Sequence, residues 1–289
     1  MTDPVVVHTV HEVRALRAEL SSAGKTLAFV PTMGALHEGH LALVDRGREI
    51  ADVVIVSIFV NPLQFGAGED FDRYPRTLDA DVAALSGKAE FVFAPDVDEM
   101  YPDRVGGPAV PAQHAGPVGE TFEGVSRPGH FDGMLTVVAR LFDIVQPDVA
   151  IFGQKDAQQV FLVRQMVQDQ QLPLRLEIVS TIRESDGLAR SSRNRFLSDG
   201  ERAAAVAVPH ALLAVAKEAE HHGAVAVREA GIRIFEQYPL VRLDYLDLVD
   251  PTTFQSVSDD YQGPVTVVIA AKVGTTRLLD TENLERLHA

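Results

Sequence analysis

The sequence predicts an α/β protein: a Rossmann-like, doubly wound parallel sheet followed by a smaller α+β C-terminal domain. Three observations carry this. Short apolar runs rich in Val, Ile and Phe recur through the first part of the chain, continuous rather than alternating, as strands buried on both faces of a parallel sheet must be. Stretches with helical spacing separate them, so the chain reads as repeated strand–helix units. Beyond about Thr181 the character changes to an Arg- and Ser-dense segment, Ala-rich helical sequence and two further apolar runs.

The predicted strands fall at 27–30, 53–60, 91–94, 149–152 and 176–179, and helical spacing covers about 40–50, 78–85, 134–145 and 158–167. Pro31 closes the first apolar run, and Pro62 cannot continue the ladder of the second. Residues 101–129 break the rhythm. Rich in Gly and Pro, they predict a loop or short antiparallel pieces covering the site. Further on, Asp199 is placed to cap a long Ala-rich helix from Gly200 onward, a second helix covers about 224–237, and 241–249 and 265–271 read as strands. The predicted division is one domain over 1–182 and a smaller one over 183–289, with the Arg/Ser segment at the junction. In a doubly wound sheet ligands bind at the carboxyl ends of strands, and the polar segments 31–40, 61–65 and 153–156 all fall there.

Composition narrows the function classes. The chain has 289 residues, enough for one large domain or two of ordinary size. Lys and Arg number 26 against 41 Asp and Glu, for a formal charge of −15. That balance argues against a broad nucleic-acid or anionic-membrane surface and leaves room for a local basic pocket. With no cysteine, disulfides, thiolate catalysis and thiolate metal sites are excluded. The opening residues lack a basic region followed by an apolar core, and no apolar run approaches the roughly 20 residues of a membrane span. The expectation is a cytoplasmic protein with neither nucleic-acid nor membrane partners.

Four segments carry chemistry. In the first, Pro31-Thr32-Met33-Gly34-Ala35-Leu36-His37-Glu38-Gly39-His40, a strand and turn lead into a helix whose start carries two imidazoles. Orphan N–H groups at a helix start and two nearby donors suit a phosphate. Two other readings stay open: a capped helix start with surface histidines, or half of a metal site, although the spacing is one short of a helical zinc pair and no third ligand is evident. In the second, Asn61-Pro62-Leu63-Gln64-Phe65 offers amides at the sheet edge or is simply a polar turn. Downstream, Tyr74-Pro75-Arg76 can add a phenol and a guanidinium, and Asp79 and Asp81 are either helical surface acids or holders of a hydrated magnesium.

The third segment is Phe152-Gly153-Gln154-Lys155-Asp156, followed by Gln158 and Gln159. Gly153 relieves steric limits, Lys155 is a point charge for phosphate or a solvated lysine, and Asp156 accepts from a sugar hydroxyl or caps the helix. The sequence has no Walker-A pattern. The fourth is Arg190-Ser191-Ser192-Arg193-Asn194, an anion clamp or a surface loop with charge pairs.

Taken together, in this order and spacing, these segments resemble the pantothenate synthetase (pantoate–β-alanine ligase) family of the HIGH-motif nucleotidylyltransferase superfamily. The resemblance spans nearly the full chain and includes Tyr74-Pro75-Arg76, Arg127-Pro128-Gly129-His130-Phe131 and Gly274-Thr275-Thr276-Arg277-Leu278-Leu279. It implies a ligase of pantothenate and coenzyme A biosynthesis that condenses D-pantoate with β-alanine, converting ATP to AMP and pyrophosphate through pantoyl adenylate. It also implies a homodimer, Mg²⁺ held mainly by ATP oxygens and water, and a C-terminal domain closing over the active site.

By the same resemblance Met33, Gly34, Ala35, Leu36, His37, Glu38, Gly39 and His40 line the ATP site, with His40 the proton donor and His37 assisting at the phosphates. Gln64 and Gln159 hold pantoate. Gly153, Gln154, Lys155 and Asp156 meet ATP, Lys155 on phosphate and Asp156 near ribose. Ile182 contributes a backbone contact beside adenine, and Arg190, Ser191, Ser192 and Arg193 close on the phosphates. Gln154 stands where the family often has Glu, Ala157 where it often has an aromatic residue, and Arg190 where it often has an apolar one. Two other classes compete: a nucleotidylyltransferase that stops after transfer, and a nucleotide-binding regulator without turnover. The two glutamines and the full-length match speak against the first. Both imidazoles, Lys155 and 191–193 speak against the second.

Overall fold

The computed structural model describes residues 2–66, 71–102 and 110–287. The chain divides into two compact units, Met1–Gly153 with Leu162–Val179, and Gln154–Phe161 with Ser180–Ala289.

In the first unit the strands are β1 (Val5–Val7), β2 (Leu27–Thr32), β3 (Val53–Ile58), β4 (Phe91–Phe93), β5 (Val149–Gly153) and β6 (Arg175–Val179). They form one parallel sheet in the order β1-β4-β3-β2-β5-β6. The helices are α1 (Val10–Ser22), α2 (Glu38–Ile50), α3 (Leu78–Ala84), the single turns α4 (Val97–Met100) and α5 (Glu123–Ser126), α6 (His130–Val145), and α7 (Ala157–Asp169), which runs through both units. Alternation along β2 assigns the two faces. Ala28 and Val30 join Val44 of α2 in one buried cluster with Val54, Val56 and Ile151. Phe29, between them, meets the edge of Phe142 on α6 with ring centroids 6.3 Å apart. Successive strand side chains point to opposite faces, so α2 and α6 cover opposite sides of the sheet, as double winding requires.

Strand order reverses between β2 and β5, which are paired through Ala28–Val149 and Phe29–Ala150. The crevice outside the carboxyl ends of such a pair is where open α/β sheets bind ligands. Pro31 does not end β2 as predicted. Pairing with β5 stops at Phe29, and at Pro31 the strand pairs with β3 alone, through Ser57; a half-paired position tolerates a residue without an N–H.

The second unit holds the antiparallel sheet β7 (Val241–Val249), β8 (Val265–Val273) and β9 (Thr276–Leu284), in that order. Three helices precede it: α8 (Asp199–Ala204), α9 (Ala207–Ala219) and α10 (Ala224–Phe235). Val208, Ala211, Leu212 and Val215 of α9 and Val227 of α10 share a buried cluster with Leu248, Val267 and Ile269 of the sheet.

Other expectations need correction or completion. The helix predicted from Gly200 is capped by Ser198, not Asp199: Ser198 and Glu201 form a reciprocal capping box. It is also two helices, broken at Ala205–Val206, because Pro209 has no N–H for the carbonyl four residues back and its ring collides with it. Of the two readings of 101–129, a loop or antiparallel pieces, the described residues 110–129 follow the first, a loop with a 3₁₀ turn at Pro117–Glu120 and the single turn α5, while 103–109 lie outside the described residues. Elements β1, α1, α4 and β9 are additions to the predicted set. Among the described residues no helix is long and apolar enough to cross a membrane.

Candidate active site

The turn after β2 delivers the two imidazoles. His37 is the N-cap of α2, and its Nδ1 accepts the Gly39 N–H at 3.1 Å; His40 Nδ1 accepts the His37 N–H at 3.3 Å. This is a capping box in which histidines replace the usual hydroxyl and carboxylate. The rings lie 4.1 Å apart between centroids. A ring nitrogen that accepts an N–H carries no proton itself, so each neutral imidazole is protonated on Nε2. The orphan amides predicted for a phosphate are thus partly taken by the rings. The box makes Nδ1 the acceptor of each ring and Nε2–H its donor.

The turn itself is held by Asp81 of α3, which is only 3% exposed. Its Oδ2 accepts the Ala35 N–H at 3.0 Å and its Oδ1 the Leu36 N–H at 2.8 Å, while the Thr77 hydroxyl donates to Oδ2 at 3.1 Å. Asp81 is therefore a buried acid that holds the turn, not a surface one.

Gln64 ends a 3₁₀ turn, Pro62–Gln64, that follows β3. Its Nε2 donates to Met33 Sδ at 2.9 Å and its Oε1 accepts from Asn61 Nδ2 at 3.2 Å, so Met33 and Gln64, named separately from sequence, meet directly. Asn61 is fully buried. Its Nδ2 also donates to the Gly133 carbonyl at 3.0 Å, and its Oδ1 accepts the Leu63 N–H and the Tyr101 hydroxyl, the latter at 2.8 Å. Burial pushes the Tyr101 phenol well above its ordinary range, so it stays a donor. Sequence reasoning gives the Arg127-to-Phe131 motif no task. The structure has Arg127 and His130 Nδ1 both on the Gln64 carbonyl oxygen, at 3.1 and 2.9 Å. Gly133 lets α6 approach that turn: a Cβ there would stand 2.0 Å from the Leu63 carbonyl oxygen.

In the second unit, Gln154–Asp156 forms a 3₁₀ turn leading into α7. Lys155 Nζ lies 3.3 Å from Asp156 Oδ1. One face of β9 holds this turn. Thr281 Oγ1 donates to the Gln154 carbonyl at 2.9 Å, and Gln154 Nε2 donates to Asn283 Oδ1 at 3.3 Å. Gly153 has no steric task toward the chain itself, since a Cβ there meets nothing within 4 Å. Gln159 is half-buried in the first turn of α7.

The other face of β9 holds the segment leading to the Arg/Ser cluster. Asp280, 1% exposed, accepts from Arg183 Nη1 at 2.6 Å, and Glu282 accepts from Arg183 Nη2 at 3.2 Å. Burial pushes the Asp280 carboxyl up, against the opposing pull of Arg183. From there the chain folds back on itself: the Ile182 carbonyl accepts the Arg190 N–H at 2.8 Å, and Arg183 bridges Ala189. Ser191 Oγ accepts the Arg193 N–H and starts a 3₁₀ turn, Ser192–Phe196. Asn194 Nδ2 donates to the Ala189 carbonyl at 3.0 Å and to Glu184 at 3.3 Å, and Glu184 also meets Arg202 at 2.8 Å. Arg202 holds the Glu184 carboxyl below its usual range.

Among the described residues no three His, Asp or Glu side chains gather as a metal site.

Comparison with known proteins gives a consistent result. The sequence matches the pantoate-beta-alanine ligase family over residues 5–283. The pantothenate synthetase of Leifsonia xyli subsp. xyli is 57% identical over 258 residues, 89% of this chain and 88% of that protein. That of Thermobifida fusca is 51% identical over 284 residues, 96% of this chain and 94% of that one. The crystal structure of pantothenate synthetase from Thermus thermophilus superposes with a TM-score of 0.88 at 45% identity, covering 97% of this chain and 99% of that chain. The pantoate-beta-alanine ligase of Francisella tularensis, solved with β-γ ATP and β-alanine, gives a TM-score of 0.78 at 30% identity, with 96% and 97% covered. With the parallel sheet, the imidazole box after β2 and a match over nearly the whole sequence, the chain belongs to the pantoate-beta-alanine ligase family.

Proposed function

We propose that this chain condenses D-pantoate with β-alanine in two steps, with ATP as the activating co-substrate. A free carboxylate is a poor acyl donor. Attack of the pantoate carboxylate on the α-phosphorus of ATP expels pyrophosphate and leaves pantoyl adenylate. Attack of the β-alanine amine on its acyl carbon then expels AMP, a competent leaving group, and yields pantothenate. The protein's contribution is positioning and neutralisation of charge as pyrophosphate departs.

The observation that carries this reading is the reciprocal capping of His37 and His40, which leaves Nε2–H as the donor on both rings at the start of α2. We assign His40 as the donor to the departing phosphates and His37 as its assistant, in a turn that runs from Met33 through Gly39 past the nucleotide. Gln64 and Gln159 are assigned to pantoate. Support for Gln64 is its fixed carboxamide, tied to Asn61 and Met33. Lys155 and the cluster Arg190, Ser191, Ser192 and Arg193 supply positive charge and donors for the phosphates. Gly153, Gln154 and Asp156 meet the nucleotide, Asp156 at ribose, and the Ile182 backbone lies beside adenine. Mg²⁺ enters on the ATP oxygens and their waters. The division of labour follows 1–182 and 183–289, and the working form is a cytoplasmic homodimer.

A substrate-omission assay tests the reaction. ATP–pyrophosphate exchange is expected with pantoate alone, and AMP and pantothenate only once β-alanine is added. Absence of pantoate-dependent exchange together with absence of pantothenate overturns the assignment.

A further inference from the structure

The turn between β2 and α2 is strained and specified from outside itself. Gly34 has φ +80° and Ala35 φ +51°. A side chain in the left-handed region persists only where the surroundings over-determine it. Successive N–H groups in such a conformation form a concave anion-binding nest. Here the nest is filled by the protein's own carboxylate: Asp81 takes the Ala35 and Leu36 N–H groups, one on each oxygen. The next residue after Leu36 is His37, the N-cap whose ring and amide build the imidazole box.

We infer that Asp81 is a positioning residue for the His37–His40 pair, acting through the Ala35–Leu36 amides. Both carboxylate oxygens are needed, because the two amides are donors pointing at one side chain. An Asn at this place has one oxygen and one NH₂, and its NH₂ would face an N–H. The fit is close on the other side as well: a Cβ at Gly34 would meet Asp81 Oδ2 and Ile58 Cγ2, each at 3.0 Å. Thr77, the N-cap residue of α3, orients the carboxylate by donating to Oδ2. Because the carboxylate occupies these amides, phosphate recognition in this turn passes to the imidazoles. This inference rests on the role proposed above for the two histidines.

The test is Asp81→Asn in the full chain, read in two ways. Pantoate-dependent ATP–pyrophosphate exchange is expected to fall about 100-fold in kcat, the scale of an ångström-sized misplacement, with the pantoate KM changed less than about twofold because uniform binding is untouched. In the ligand-free protein, ¹⁵N spectra of the rings are expected to show Nε2-protonated His37 and His40 before the substitution and a tautomer mixture after it. Unchanged kcat, or unchanged ring signals alongside lost activity, overturns the inference. If Asp81→Asn does not fold, amide exchange in the unsubstituted protein decides: slow exchange at Ala35 and Leu36 supports it, and exchange as fast as an exposed loop overturns it. Thr77→Val should lower kcat in the same direction by a smaller factor. Lack of pantoate-dependent exchange in the unsubstituted protein counts against the proposed reaction alone, and the ring spectra and amide exchange still decide the role of Asp81.

Discussion

His40 Nδ1 closes the helix cap, and the proposed function gives its Nε2–H a second task as donor; substitutions can separate the two. His40→Ala removes both. Single-turnover formation of the adenylate is expected to fall by about 100-fold or more, within the usual range for losing a general acid. His40→Gln restores an acceptor for the His37 N–H, as Gln does in an ordinary capping box, and supplies no imidazole. It should melt close to the unsubstituted protein and turn over as poorly as His40→Ala. Quenched-flow adenylate formation beside a thermal melt distinguishes them, and a fast Gln variant would assign the ring only to the cap. Lys155 is a compact point charge, paired with Asp156 and set at the end of a strand. Lys155→Ala is expected to raise the KM for ATP by about tenfold with the melt unchanged, one lost charge-assisted contact being worth about that factor. Unaltered ATP kinetics would remove it from the phosphates.

At the scale of elements, the contact of α6 with the 3₁₀ turn carrying Gln64 depends on a missing Cβ. Gly133→Ala places a methyl carbon 2.0 Å from the Leu63 carbonyl oxygen, so one of the two must move. The expected loss is about 2–3 kcal/mol of stability, at the upper end for overpacking, together with a raised pantoate KM as Gln64 shifts. Denaturant titration and steady-state kinetics on one preparation check both. Ser198→Ala should cost about 1 kcal/mol through the cap alone and leave kinetics at the pantoate site untouched.

Legibility in the sequence follows these same elements. Runs such as Val53-Val54-Ile55-Val56 announce central strands because both faces are buried and need apolar residues. Strand β9 is hidden because its polar residues belong to its contacts: Asp280, Thr281, Glu282 and Asn283 look like a loop until Arg183 and Gln154 are brought to them. The site motifs are legible as local strings. Their supports are not, since Asp81, Tyr101, His130 and Gly133 lie tens of residues from what they hold. The boxes Thr9–Glu12 and Ser198–Glu201 are readable by spacing, and neither was part of the predicted pattern.

For the whole molecule the relevant variable is pH. In the first unit Arg46 holds the Glu177 carboxyl below its usual range, and in the second Arg202 does the same for Glu184. A depressed carboxylate contributes stability that is fully present above its unfolded-state value and is lost as pH falls through the folded one. Asp280, raised by burial, has the opposite sign and offsets part of this. The net expectation is a melting temperature that is flat near neutrality and falls once pH drops below the ordinary carboxylate range. Arg202→Met should lower the plateau and flatten the fall. Calorimetric melts over a pH series give the comparison, and an equal acid slope in both proteins would show that the Glu184 pair contributes nothing.

The hairpin joining β8 to β9 sets more than the shape of a small sheet. Its turn is two residues, Gly274 and Thr275, and it fixes Val273 opposite Thr276. That register decides which side chains β9 offers to each of two neighbouring segments: Thr281 and Asn283 toward Gln154, Asp280 and Glu282 toward Arg183. Strand faces alternate with a period of two. A slip of one residue would turn carboxylates toward the Gln154 carbonyl and leave the Arg183 guanidinium facing a hydroxyl and an amide. Adding a single residue to that turn is therefore equivalent to a frameshift in space, confined to one strand and read out at the Lys155 turn and the Arg190–Arg193 cluster together.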